Sequence, residues 1–359
     1  MVTVQVPPVL RYGRIMTWRR RARVFAAVLL GSTVLASGLA GCSVLLPKAP
    51  ESVSAAAATA EESLSGVPGV ASVSTEVTLR DYRGEGSISE PDAWVVILTV
   101  NAATGGRDLE RAADEVVDAL VQARTDAHIT AVIVAPQLAG DVDAEILFDE
   151  DLHAGVAAER VTAARELSAV DGVSRVTVGR DDKPPRLEAV GLDEWPEVAT
   201  AIRAVPGFGV GALQNPSLIA PIDSGESWSG DGSDGVHLEL GARTPSPSMI
   251  EEITRLAAER TVRSISFSSG EALLPTGHAA AERSSVTVDV ETSADAEKLA
   301  DRLAGLVDQR YWTQGSGRPS FQVVSPVGDS ADSSAIVGYV GLPRGSAEPD
   351  DLPAATGVR

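Results

Sequence analysis

The chain has 359 residues and a formal net charge of -20, with 44% hydrophobic and 4% aromatic residues. This length exceeds what one hydrophobic core usually supports, so several compact modules are expected. The acidic balance disfavours nucleic acid as a partner, and it also disfavours electrostatic adsorption to anionic lipid headgroups. Because aromatic side chains are few, the core must be built mainly from Val, Leu, Ile and Ala.

The N-terminal segment 1–41 has the order of an export signal. An arginine cluster over 19–23 precedes an apolar run over 24–36, and small residues follow this run. The run is shorter than the roughly 20 residues that a helix needs to span a bilayer. We therefore interpret 1–41 as a signal peptide and not as a permanent transmembrane helix, with Met16 as an alternative start.

This signal ends in Leu39-Ala40-Gly41-Cys42, which resembles the lipobox of bacterial lipoproteins at every position. The resemblance implies cleavage between Gly41 and Cys42 and a diacylglyceryl group, with acyl chains such as palmitate, on the Cys42 sulfur. Two acyl chains hold a protein stably on a membrane, whereas one chain holds it only marginally. We therefore expect an extracytoplasmic lipoprotein on the outer face of the cytoplasmic membrane. Since Cys42 is the only cysteine, no internal disulfide is expected.

Beyond the anchor, apolar periodicity predicts three α+β modules. The most regular helix covers 109–121, where Leu109, Val116 and Leu120 recur at helical spacing. An order of helix, strand, strand, helix and strand then recurs along the chain. The predicted divisions are a lipidated tether over 42–52, modules over 53–136, 143–215 and 236–326, a linker over 216–235, and a spare strand with a disordered tail over 327–359.

Several finer predictions concern the ends of these modules. A strand over 208–213 is expected to close the second module, and a spare strand over 334–342 is expected to fill the open edge of the first. The chain is expected to be disordered from Pro343 onward. Ser246 and Ser293 are each predicted to cap the N-terminus of a helix.

One turn recurs between a helix and the strand after it. Val67-Pro68-Gly69-Val70 and Val170-Asp171-Gly172-Val173 share it, and Val205-Pro206-Gly207 is a partial copy. Glycine suits the left-handed residue that ends a helix. Two strand-helix-strand halves form a ferredoxin-like module, so the predicted fold class is α+β with about three such modules, βαββαβ or αββαβ, in tandem. The αββαβ order with this turn is similar to the BON modules of bacterial envelope proteins, from which no functional residue is transferred.

The sequence contains no recognisable constellation of catalytic or metal-binding residues. The histidines are scattered along the chain, at His128, His153, His237 and His278. Gly-rich residues 230–235 have dinucleotide-binding spacing, but they precede a strand instead of opening a helix. Acidic side chains in the same region offer oxygen atoms that could bind calcium, although their spacing matches no calcium loop: Asp223, Glu226, Asp231 and Asp234.

Two other groups of side chains are notable. The densest acidic run covers 141–151 and is interpreted as a solvated face. Trp228, Tyr311 and Trp312 are the aromatic side chains expected to make exposed contacts. Neither group predicts a reaction, so no cofactor and no metal are expected.

These observations favour a membrane-anchored binding or scaffolding protein without a catalytic site, whose partner is another envelope protein. Two alternatives stay open. One is an extracytoplasmic hydrolase whose catalytic groups, such as a carboxylate with His153 or His278, are far apart in the sequence. The other is a receptor for a small molecule or ion, which requires a deep apolar cleft between modules.

Overall fold

A computed structural model describes residues 49–80, 93–123, 128–149, 152–179, 184–189, 191–220, 235–270, 283–312, 317–326 and 333–350. From Glu51 onward the chain forms one compact unit. Its helices are α1 (Glu51–Ser65), α2 (Leu109–Gln122), α3 (Val156–Ser168), α4 (Trp195–Arg203), α5 (Pro247–Ala257) and α6 (Ser293–Ala304). Its strands are β1 (Val70–Arg80), β2 (Ala93–Ala102), β3 (His128–Ala139), β4 (Val142–Phe148), β5 (Val173–Val178), β6 (Arg186–Ala189), β7 (Ser217–Ala220), β8 (Val236–Glu239), β9 (Val262–Ser268), β10 (Ser285–Val290), β11 (Ser320–Pro326) and β12 (Ser333–Tyr339).

All the described strands belong to one mixed sheet of 12 strands, arranged in the order in which they occur along the chain. Antiparallel and parallel pairings alternate: β1 and β2 are antiparallel, β2 and β3 are parallel, and β3 and β4 are antiparallel again. The molecule is therefore a series of αββ units. Within a unit, the two strands form an antiparallel pair. Between units, a helix joins two neighbouring parallel strands.

The helices form where the apolar pattern predicts them. In α2 the residues Leu109, Ala112, Val116 and Leu120 are buried on one face, as the helical spacing requires. At α5 the predicted cap is confirmed, because the Ser246 side chain accepts a hydrogen bond of 3.2 Å from the backbone N–H of Met249. At α6 the cap is one residue earlier than predicted. Thr292, not Ser293, accepts from the N–H of Asp295 at 3.2 Å, because Thr292 still has an extended backbone.

The repeated turn has the conformation that its glycine predicts. Gly69, Gly172 and Gly207 have φ values of 91°, 86° and 79°, in the left-handed region. A backbone hydrogen bond spans the turn in each full copy, from Val70 N to Val67 O at 3.1 Å and from Val173 N to Val170 O at 3.3 Å. Each full copy ends a helix and begins the next strand, whereas after the partial copy at Gly207 the next strand begins only at Ser217.

The sheet does not confirm the tandem ferredoxin-like modules. In a ferredoxin-like module the βαβ unit is split, with another strand inserted between its two parallel strands. Here the strands on either side of each helix are direct neighbours, as in β4–α3–β5 and β10–α6–β11. The coarser prediction holds, since helices and strands alternate in a mixed α/β structure. All three predicted modules contribute strands to the same sheet.

Two segments around the predicted linker differ from expectation. Residues 208–213 do not form a strand, because Gly207, Gly209 and Gly211 all have positive φ, and Gly211–Leu213 is a short 3-10 helix. The strand that follows α4 is β7 instead, formed by residues at the start of the predicted linker. Ser217 and Leu218 are buried in it. The other linker residues, 221–234, lie outside the described residues.

The C-terminal region also differs from expectation. The spare strand is β12, but it pairs with β11, at the opposite edge of the sheet from β1. Of the predicted disordered tail, residues 343–350 pack against the unit, and residues 351–359 lie outside the described residues. Arg344 Nε lies 2.8 Å from the Asp301 carboxylate, and Arg283 donates a hydrogen bond of 2.7 Å to the Pro349 carbonyl.

Replacing Gly172 by Ala is expected to destabilise the fold. A Cβ there would meet Val198 Cγ2 at 2.8 Å, and φ is 86°. Holding a non-glycine residue in that region costs about 1–3 kcal/mol. Urea unfolding of the chain from Ser43 should show a loss of this size in the free energy of unfolding.

Gly66→Ala is the matched control for this prediction. Gly66 lies near the same kind of helix end, has no heavy atom within 4 Å of an added Cβ, and lies outside the left-handed region. Its substitution should change stability by less than about 0.5 kcal/mol. Equal effects at the two positions would contradict the role assigned to the turn.

Candidate functional site

The candidate site is the face of the sheet opposite the helices, called here the open face. The described helices pack on one side of the sheet, where the alternate strand residues are buried. On β4, for example, Ala144 and Ile146 are buried, whereas Asp143, Glu145 and Leu147 point to the open face and are half-buried. From β4 to β12 the open face carries Asp143, Glu145, Leu147, Arg175, Thr177, Arg186, Glu188, Ile219, His237, Glu239, Ser264, Ser266, Thr287, Asp289, Gln322, Val324, Ala335 and Val337, together with Ser217, which is buried beneath its neighbours.

One continuous line of register partners, called here the polar row, crosses this face from β4 to β12. Each member lies opposite the next on the neighbouring strand, so their side chains are direct neighbours on this face. Most members are polar or charged, with one aliphatic side chain in the middle and one at the end. The polar row is Asp143, Arg175, Glu188, Ile219, His237, Ser266, Thr287, Gln322 and Val337.

The charges at one end of the polar row are paired across strands. Arg175 Nη1 lies 3.5 Å from Glu188 Oε1, with side chains 49% and 32% exposed. Asp143 accepts a hydrogen bond of 3.0 Å from the backbone N–H of Gln137. Exposed pairs of this kind stabilise a fold by about 0–1 kcal/mol. Their main effect is to orient the charged groups on the surface.

A hydrogen-bonded carboxylate anchors the centre of the open face. Glu239 accepts from Asn215 Nδ2 at 2.9 Å, from Ser268 Oγ at 2.9 Å and from Ser269 Oγ at 3.0 Å. These donors come from the segments before β7 and at the end of β9, on both sides of β8. The carboxylate therefore holds three successive segments of the sheet in register.

His237 lies beside this carboxylate in the polar row. Burial lowers the pKa of its imidazole below the ordinary value, and the positive charge of Arg186 lowers the pKa further, while Glu239 opposes the change. Its register neighbours are Ile219 and Ser266, one apolar and one a hydroxyl. His237 is therefore a neutral imidazole near pH 7, able to donate or accept a hydrogen bond toward the open face.

Stability is expected to fall as His237 becomes protonated. Its folded-state pKa is below its unfolded-state value of about 6.5, so the unfolded chain binds the proton more tightly. The contribution of neutral His237 to the free energy of unfolding is fully present above about pH 6.5. It is lost as the pH falls from there through the folded-state pKa. Urea unfolding midpoints measured at decreasing pH should fall as this stabilisation is lost. In the His237→Gln variant the midpoint should depend less steeply on pH.

His153→Gln is the control for this pH dependence. His153 is exposed, with Nε2 at 3.8 Å from Glu159 Oε2. Because it lies away from the open face, comparing the two variants separates an effect of the His237 site from a general effect of removing a histidine. An unchanged slope in His237→Gln would show that another group causes the pH dependence.

At the β12 end, the open face continues into a cleft of about 360 Å³. Its lining includes hydroxyl and amide side chains from β10 and β11, Tyr339 from β12, and Gly345 with Ser346 from the C-terminal segment. The Arg283 guanidinium carbon lies 5.4 Å from the centre of the Tyr339 ring. The same Arg283 side chain also donates a hydrogen bond to the backbone carbonyl of Pro349. The segment 343–350 is thereby held as one wall of the cleft.

The structure brings together few of the side chains that were considered from the sequence. His237 and the acidic residues Asp143 and Glu145 lie on the open face. Tyr311 and Trp312 are half-buried against the core, contrary to the expected exposed contacts, and Arg318 lies 4.4 Å above the Trp312 ring. The segments or side chains of several others lie outside the described residues: Gly41, Cys42, His128, Asp223, Glu226, Trp228, Asp231, Asp234 and His278.

Sequence reasoning missed the polar row, because its members are far apart in the chain and only strand pairing aligns them. The alternation of polar and apolar residues within each strand was the signal that could have located this face. Within the described residues, no group of three or more His, Cys, Asp or Glu side chains is placed to hold a metal ion. None of the described helices has the length and apolar character to cross a membrane.

Comparison of the chain with protein-family models, with curated proteins and with solved structures gave no match.

Proposed function

We propose that this chain is an extracytoplasmic lipoprotein, held on the membrane by lipid on Cys42, whose open face binds another envelope protein. The single observation that carries the binding role is the unequal use of the two sheet faces. The described helices cover one face, and the other presents a row of polar and charged side chains across nine strands.

The character of the open face suits recognition by a folded partner. A continuous surface of strands is rigid, because every strand is held by neighbours on one or both sides. Its charges are of both signs, as in Arg175 and Glu188. Apolar side chains lie among them, at Ile219 in the middle and at Val324 and Val337 near the β12 edge. Mixed charges that are fixed in position favour one partner orientation over others. The proposal therefore assigns binding to the array as a whole and not to separate modules.

The small-molecule receptor is the second candidate, and the cleft beside Tyr339 is the observation that favours it. Its volume of about 360 Å³ is at the lower end of ligand sites. Its lining is mixed, with slightly more apolar than polar surface. We rank this candidate below the protein partner, since the cleft occupies only one end of the open face.

The anchor is tested by replacing Cys42 with Ala. The sulfur is the atom that carries the diacylglyceryl group, so the variant should lose labelling by a fatty-acid analogue. It should also leave the membrane fraction, because it has no acyl chains to bury. Ser43→Ala, one residue away, should keep both properties. Membrane retention together with labelling in the Cys42→Ala variant would contradict the lipoprotein proposal.

The binding role is tested with a photo-reactive amino acid placed at single positions in intact cells. Gln322 is exposed on the open face, and Glu115 is exposed on α2 on the opposite side of the sheet. The same protein should be cross-linked from Gln322 and from other members of the polar row, and not from Glu115. Equal recovery from both faces, or recovery from α2 alone, would contradict the assignment of the open face as the binding surface.

A further inference from the structure

We propose that copies of this chain associate head to tail, with β12 of one copy pairing parallel to β1 of the next. The basis is a single pairing rule at every described boundary between units. The second strand of one unit always pairs in parallel with the first strand of the next, at β2–β3, β4–β5, β6–β7, β8–β9 and β10–β11. These boundaries need little contact, since they contain from three to seven residue pairs.

The two ends of the sheet are the two halves of such a boundary. β1 is a first strand with no described strand before it, and β12 is a second strand with no described strand after it. β1 runs antiparallel to β2, and β12 runs antiparallel to β11. A second copy whose β1 lies parallel to β12 therefore continues the same alternation, with its α1 in the place of a crossover helix. The ends differ from each other, so the contact is heterologous and can be repeated.

The outer edge of β12 has the chemistry of a pairing edge. Its backbone bond from Val340 N to Pro319 O flanks the opposed pair Ser320 and Tyr339. In an antiparallel ladder the backbone groups of successive residues point alternately toward and away from the partner strand. The N–H and C=O groups of even-numbered β12 residues therefore point toward β11, and those of Ala335 and Val337 point outward. Folded proteins usually protect such an edge with charge or proline. Ser333–Tyr339 contains neither, and Val337 is 66% exposed.

β1 offers a compatible surface. Val73 and Val77 face the helix layer, while Ser72, Ser74 and Glu76 face the other side. Glu76 does not oppose pairing through the backbone, because the internal strands carry acidic side chains on the same face, such as Glu145 on β4 and Glu188 on β6. A second copy is the partner that supplies a matching strand and the helix that covers it. The inference does not depend on lipid at Cys42.

Cysteine cross-linking tests this arrangement directly. The chain from Ser43 contains no cysteine. Two single variants, Ala335→Cys on β12 and Ser74→Cys on β1, are mixed and mildly oxidised. We expect mixed disulfide dimers that join residue 335 to residue 74, and a ladder of larger oligomers from the double variant. If the register is offset, the same pairing should be found with cysteines at 333 or 337 and at 72 or 76.

Each outcome of this experiment has a definite meaning. Mixed dimers support head-to-tail association, since the two cysteines are on different chains. Dimers joining 335 to 335 alone would overturn it in favour of a symmetric contact. Absence of cross-links at all of these positions, with a monomer in sedimentation at high concentration, would overturn it as well.

A proline variant provides an independent test. Val337→Pro removes an N–H that points outward while leaving the bonds to β11, and proline is tolerated on an edge in this orientation. Self-association should weaken about tenfold, as for the loss of one hydrogen bond. Val337→Thr keeps the N–H and should associate like the unmodified chain. Unaltered association of a folded Val337→Pro variant would contradict the pairing. If that variant unfolds, the cysteine result decides.

Discussion

The structure depends on backbone hydrogen bonding between strands of successive αββ units. Each internal unit has an antiparallel pair whose outer edges are satisfied only by the strands of its neighbours. Its helix likewise covers too little apolar surface to form a core alone, and the buried residues from Val53 to Val340 form one continuous cluster. Neither requirement can be met by a single unit, so the units are stable as an array.

This constraint explains why the two faces of the sheet differ. A helix that joins neighbouring parallel strands must cross over one face, and the described crossovers all use the same face. Apolar strand residues are needed on that side, and alternation then directs the intervening residues to the other side. The side chains of the open face are therefore not required to pack against the described helices. Its polar row, with Glu239 fixed by Asn215 and Ser268 beside it, is where a partner can be recognised without disturbing the core.

Features that depend on residues close together in the sequence were predicted correctly, whereas a feature that depends on distant residues was not. Gly69 and Gly172 were placed correctly because a left-handed turn depends on a few adjacent residues. The helix over 109–121 was also correct, since its periodicity is local. The strand predicted over 208–213 was wrong: Gly209 and Gly211 within that segment, and Gly207 just before it, have positive φ and exclude it, and β7 begins at Ser217 instead. A four-residue strand buried by its neighbours leaves little pattern in the sequence.

The amino-acid sequence by itself determined the order of helices and strands, the turn that separates them, and the motif at Leu39-Ala40-Gly41-Cys42 on which the proposed anchor rests. Only the tertiary structure decided that the strands on either side of a helix are neighbours, that β12 lies at the far edge from β1, and that Asp143, Glu188 and His237 share one row. The physical reason is that a βαβ segment has the same apolar pattern whether or not another strand separates its two strands. Strand pairing is chosen by residues distant in the chain, and no local pattern encodes that choice.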